Sequence, residues 1–311
     1  MTGSIEDCLD RGEPPLPWVY RLAGGLESVD PADLPGDAGA LSRSLSTAAD
    51  LFGLPAVCPS FDPAITAEAA GCEVARDADG ADEDGTLRVT AGPVESVDDA
   101  FDLDVDAAVE GGRMPAALDA TERLTATLSR TSVLGGVAGP STLADALLAV
   151  EDADPDLRFE TTLTAGDVGV ALANAFFDRD ADGMVVLEPD GISAAGDGYR
   201  DAVVPLVNVI DHYDATAVLA QRSVAAADVE LAADLGFDAI TGRVDDEGVH
   251  DAADGADVAL GVGVPAARFR EGPDAVESFV DDHPPDTFFA TEWEVPAEIE
   301  PEALHRLMGS L

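Results

Sequence analysis

The chain has 311 residues, of which 63 are acidic and 16 basic, giving a formal net charge of −47. That balance argues against a nucleic-acid partner, because neutralising phosphates needs a cationic face. No apolar run approaches the roughly 18 residues of a membrane span, the acidic start MTGSIEDCLD does not read as a signal peptide, and three cysteines without a CxxC argue against a disulfide framework.

In chain order, the first apolar run, PWVYRL (17–22), predicts a strand, and helical spacing follows over 37–52. LPAVCPS (54–60) predicts a second strand, then a short helix from Pro63 that ends at Gly71. Residues 72–94 read as two strands around an Asp/Gly-rich turn, a hairpin excursion. A helix over 119–130 leads into the strand SVLGGVA (132–138), and a helix over 140–152 follows it, with Ser141 or Thr142 as its cap. The helix 165–181 precedes the strand 183–189, and 199–213, with Pro205 as a kink, precedes the strand 216–221. Strands at 238–243, 257–263 and 286–293 alternate with helices over 226–236, 272–283 and 301–311. The strand runs are rich in Val, Leu and Ala and do not alternate, as expected for strands buried on both faces.

Eight such strands alternating with helices predict a (β/α)8 TIM barrel, one domain over 1–311 with a small β-hairpin insertion at 72–94. A doubly wound sheet is the alternative, but no GxGxxG follows a strand. The acids run along the whole chain, every base is arginine, and 46% of residues are hydrophobic. This is the composition of a folded, carboxylate-covered protein suited to concentrated salt, where charge repulsion is screened to about 3 Å. A halophilic, reducing cytoplasm is the expected setting.

In a barrel the chemistry lies at the C-terminal ends of the strands. Asp62 stands just past the second strand, where it either caps the helix starting at Pro63 or serves catalysis. Glu188 stands at the end of the fourth strand and is expected to face the mouth. Arg222 and Arg243 follow strand ends, and each either binds an anion or pairs with a neighbouring acid. Tyr20 and Trp293 either line a pocket or pack. Cys58 reads as a small apolar core residue.

Several segments carry a family likeness. WVYRLAGG (18–25) is similar to the Met-Arg-Gln-Ala-Gly-Arg segment of uroporphyrinogen decarboxylase, and SFDPAITAEAAGCEV to its Phe-Ser-Asp-Ile-Leu segment. GGVAGPSTLADALL (135–148) resembles a Gly-Phe-Ala-Gly-x-Pro-x-Thr-Leu strand-loop-helix. The chain thus resembles the superfamily of uroporphyrinogen decarboxylase, corrinoid methyltransferases and cobalamin-independent methionine synthase.

The resemblance implies a TIM barrel, cofactor-free decarboxylation of a tetrapyrrole or related carboxylated substrate, and a homodimer. It implies that Asp62 stabilises a cationic intermediate and that Arg21 anchors a substrate carboxylate. Tyr20, Glu188, Arg222 and Trp293 complete the expected binding set. The family's second arginine falls at Gly25, its Tyr at Ala146, its Ser at Pro189 and its His at Trp293. The methyltransferases' zinc set is missing, because the fifth strand ends in LAQRS and no Cys lies beyond residue 72, so no metal is expected. The alternatives are methyl transfer from a corrinoid or folate donor without zinc, or a non-catalytic barrel that binds a tetrapyrrole or corrinoid or has a regulatory role.

Overall fold

The structure is a computed structural model that describes residues 5, 8–9, 14–29, 33–75, 87–149, 153–196, 198–246, 248–285 and 287–309. Ten strands occur among them: β1 (Leu16–Trp18), β2 (Ala56–Val57), β3 (Glu73–Val74), β4 (Val89–Ala91), β5 (Ser132–Ala138), β6 (Gly183–Leu187), β7 (Thr216–Val224), β8 (Ala239–Val244), β9 (Ala259–Val264) and β10 (Phe289–Glu294). Eight of them form one sheet in the order β1-β10-β9-β8-β7-β6-β5-β2, parallel throughout, with helices in the connections. This is a near-closed (β/α)8 barrel. Every residue of β5 and β6 is buried, which is why their sequences run apolar without alternation.

The excursion is present as β3 and β4, an antiparallel pair outside the barrel sheet. The turn expected between them falls at 76–86, outside the described residues.

Several expected elements differ in extent. The first strand stops at Trp18, and Arg21 opens the helix Arg21–Leu26, because Tyr20 (φ −127°, ψ −72°) turns the chain out of the strand. The helix expected over 119–130 runs Met114–Thr125, started by Pro115 in its first turn. The helix expected over 165–181 begins ten residues earlier, as Pro155–Phe177, where Asp154 Oδ1 accepts from Leu157 N at 2.9 Å. The helix Pro140–Leu147 stops short because the chain leaves it to pair with Val94, whose N–H donates to Leu147 O.

The loop after β2 is pinned to β5 by two hydroxyls. Ser60 Oγ accepts from Gly136 N at 2.8 Å, and Thr66 Oγ1 accepts from Ala138 N at 2.9 Å. Gly136 is needed for this approach, because a Cβ there would meet Cys58 Sγ and Ser60 O at 2.7 Å. These bonds hold Phe61 and Asp62, between the two hydroxyls, at the barrel mouth. No helix among the described residues is long and apolar enough to cross a membrane.

Candidate active site

Asp62 divides its carboxylate between a helix cap and an arginine. Its Oδ1 accepts from Ala64 N at 2.9 Å and caps the helix Pro63–Ala69. Its Oδ2 faces Arg21, whose Nη2 donates to it at 2.7 Å. Arg21 has a second acid. Its backbone N–H and its Nη1 both donate to Glu294, at the end of β10. All three residues are buried. One guanidinium is therefore shared by two carboxylates that come from opposite ends of the chain.

Burial and charge work against each other here. Burial disfavours the charged guanidinium of Arg21, but Glu294 and Asp62 outweigh it and hold Arg21 more firmly protonated than usual. Burial pushes the Glu294 carboxyl up to about 7; Arg21 opposes that rise and the nearby Asp62 adds to it. Burial, then Asp62, raise the Tyr20 hydroxyl well above its ordinary range. The result is a proton donor or acceptor poised near neutral pH, beside a carboxylate that caps a helix and an arginine that stays charged.

The sign of the pH dependence follows. The folded state binds the Glu294 proton more tightly than an unfolded glutamate at 4.5 does. This contribution is complete below about 4.5 and is lost as pH rises through about 7, a difference on the order of 3 kcal/mol. Glu294→Gln is expected to flatten the fall of unfolding free energy across that window, measured by denaturant titration at each pH. An unchanged slope would mean that Glu294 is ionised throughout.

An aromatic wall adjoins the charges. Trp18 stacks on Phe61 with centroids 5.0 Å apart, and Phe61 meets Trp293 at 5.0 Å, tilted by 55°. Arg222 lies over the Trp293 ring, 5.3 Å from Cζ to centroid, and is 3.8 Å from Asp190. Tyr20 has Arg21 Cζ 5.8 Å from its ring centroid. The structure thus connects the expected residues Tyr20, Arg21, Asp62, Trp293 and Arg222 through one chain of contacts. Arg243 instead pairs with Asp245 at 2.8 Å and approaches Glu292 at 3.7 Å.

Glu188 is engaged elsewhere. Its Oε1 accepts from Ser141 N and its Oε2 from Thr142 N, each at 2.9 Å, and Thr142 Oγ1 donates to it at 2.5 Å. The expected cap of this helix, Ser141 or Thr142, is replaced by Glu188 from the neighbouring strand. Gly139 leaves the room, since a Cβ there would collide with the Glu188 carboxylate. Burial pushes the Glu188 carboxyl up to about 7, against the pull of Thr142 and Ser141. Glu188→Ala would strand two backbone donors, and a loss of about 2 kcal/mol in unfolding free energy is expected. A neutral result would remove the cap from the account.

Two residues escaped the sequence reading. Glu294 lies one residue beyond the strand expected over 286–293, and the carboxylate closing that strand in ATEWE is the signal in the sequence. Arg113 lies in a loop with no motif, yet its Nε donates to Glu68 Oε2 at 2.5 Å in a largely buried pair. Cys58 and Cys72 are buried, and burial pushes both thiols up to about 12. A cavity of about 580 Å³ opens at the opposite end of the barrel, where β7, β8 and β9 begin. Its polar lining is mainly carboxylate, including Asp211, Asp214 and Asp238, so it lacks the mixed charges found at the mouth.

The family described as uroporphyrinogen decarboxylase (URO-D) matches residues 33–207. No curated protein matches the sequence. Among solved structures, a methyltransferase from Methanosarcina mazei superposes with a TM-score of 0.77 at 18% identity, covering 97% of this chain and 96% of that one. A B12-independent methionine synthase from Shewanella sp. W3-18-1, in complex with selenomethionine, superposes with a TM-score of 0.52 at 12% identity, covering 88% and 87%. At these identities the likeness is one of fold.

Proposed function

The chain belongs to the uroporphyrinogen decarboxylase family, and from that premise we propose that its barrel mouth decarboxylates a carboxylated, electron-rich aromatic substrate of the tetrapyrrole kind. The observation that carries this reading is the sharing of Arg21 between Asp62 and Glu294. With both acids ionised the cluster has one excess negative charge, which suits a cationic intermediate. With Glu294 protonated it holds a deliverable proton.

The chemistry balances as follows. Glu294 protonates a ring carbon beside the acetate-bearing position, and the ring becomes cationic next to Asp62. The bond to the carboxylate breaks, CO2 leaves, and its electron pair neutralises the ring as an exocyclic methylene. That carbon takes a proton, the ring carbon returns one, and a methyl group remains. One proton is consumed for each CO2 released. Arg222, held over Trp293, takes the anchoring role for a substrate carboxylate, because the Arg21 charge is already matched within the protein.

The test is an anaerobic incubation with uroporphyrinogen III in molar KCl, with products separated by carboxylate number. Stepwise loss of carboxylates is expected. No turnover by protein shown to be folded at that salt would overturn decarboxylation and favour a ligand-binding barrel.

Methyl transfer is the second reading, supported by the near-complete superposition on the Methanosarcina mazei methyltransferase. The superfamily's thiolate route fits poorly with Cys58 and Cys72, whose thiols are buried and held protonated at neutral pH. A methyl transfer here would have to run on the carboxylates of the mouth. A methylated product formed from a corrinoid or folate donor would favour it.

A further inference from the structure

The ladder to β8 does not fix Arg222. The register of β7 against β8 breaks between Ala220 and Ser223, and Arg222 stands in that break. Such irregularities re-aim a side chain, and here the guanidinium is brought over the Trp293 ring. The turn after β6 supplies the support on the other side. Arg222 N donates to Pro189 O at 3.2 Å, and Asp190 Oδ1 lies 3.8 Å from Arg222 Nη1. Gly191, at φ +86°, closes the turn that presents both, because its N–H donates to Glu188 O at 3.1 Å.

Asp228 holds the far side of this turn. It is buried in the first turn of the helix Ala226–Leu235. Its Oδ2 accepts from Ala225 N at 2.9 Å, the ordinary work of an acid at that position. Its Oδ1 accepts from Ile192 N at 3.0 Å and from Ser193 N at 2.7 Å. A cap needs only the first of these oxygens. The second joins the loop after β6 to the segment after β7, and Arg222 is bonded to the one and continuous with the other.

We propose that Asp228 is the positioning residue of the substrate anchor: by stapling these two segments it holds Arg222 over Trp293, with the guanidinium set to receive a substrate carboxylate. Asp228 lies behind the mouth and acts only through Arg222. A guanidinium grips a carboxylate best when its planar fork is presented at a fixed angle. An anchor held in place before the ligand arrives also loses less side-chain freedom on binding. The inference rests on the proposed function for what Arg222 binds, and on these hydrogen bonds for where Arg222 stands.

The test reads the place of Arg222 without any ligand. The chain has two tryptophans, Trp18 and Trp293, so protein labelled with fluorotryptophan gives two fluorine resonances, and Trp293→Phe identifies them. In molar KCl, Arg222→Gln is expected to shift the Trp293 resonance, because the cation over the ring is gone. Asp228→Asn should shift it in the same direction, since an amide has one accepting oxygen and cannot serve both Ala225 and the loop. In protein that already carries Arg222→Gln, Asp228→Asn should add no further shift. Asp228→Glu keeps an acid to cap Ala225, and so guards against loss of fold, but its longer arm displaces the loop; it should shift Trp293 as Asp228→Asn does. A Trp293 resonance unmoved by either Asp228 variant, or moved equally with and without Arg222, would overturn the inference, because a merely structural acid does not depend on the arginine. With uroporphyrinogen, Asp228→Asn should raise KM about fivefold and keep kcat within about twofold; a fall in kcat at constant KM would also overturn it. Absence of turnover in the parent protein would remove decarboxylation and leave the fluorine result standing.

Discussion

Replacing Arg21 with Met is expected to destabilise the protein by about 3–5 kcal/mol at pH 7.5. The substitution keeps the length of the side chain but removes the guanidinium that both Asp62 and Glu294 grip. Two buried carboxylates would then lose the cation that lies between them. The loss should be read from denaturant unfolding in molar KCl, where repulsion among the 63 acidic side chains is screened. It should also shrink as pH falls, because Glu294 can take a proton and relieve the repulsion. A loss below about 1 kcal/mol would be the value for exposed pairs and would mean that the cluster is solvated. The backbone of residue 21 also donates to Glu294, so some of the link survives the substitution; the figure counts the guanidinium alone.

Asp62→Asn separates fold from chemistry. Asn is as good a cap as Asp, so the bond from Ala64 N is retained and the helix Pro63–Ala69 should keep its start. Arg21 remains paired with Glu294, so the expected cost in stability is only about 1–2 kcal/mol. Turnover is another matter. A neutral amide cannot stabilise a developing cation as a buried carboxylate does, and a fall of about 10²- to 10³-fold in kcat is expected. The measurement is product formation from uroporphyrinogen by the two proteins side by side. Activity within a factor of about ten of the parent would reduce Asp62 to a cap.

The barrel was legible because its buried strands announce themselves locally. SVLGGVA and GMVVL are continuous apolar runs bounded by turns, and β5 and β6 occupy those residues. The shortest strands were overextended. β2 keeps two residues of a seven-residue expectation because its C-terminal half serves as the loop that pins Asp62 to β5. Asp62 could be placed at the mouth from its position after a strand, but the division of its oxygens between the helix cap and Arg21 is a tertiary feature. The pairing of Glu294, as distinct from its strand-end position, is not a local feature. It meets Arg21 across 273 positions of sequence, and that contact exists only when β10 closes beside β1. Glu188 was expected at the mouth from its strand-end position, and its carboxylate is taken by the backbone of the helix at Pro140. Strand ends in a barrel carry both kinds of acid, and only the tertiary partners tell them apart.

The proton on Glu294 is the element of the account that can be read without knowing the substrate. Infrared difference spectra of the parent protein against Glu294→Gln, taken across pH in molar KCl, would isolate its carboxyl band. The band of the protonated acid is expected to persist until about pH 7 and then to be replaced by the carboxylate. A Glu294 already ionised at pH 5 would contradict it, because the mouth would then lack its proton donor.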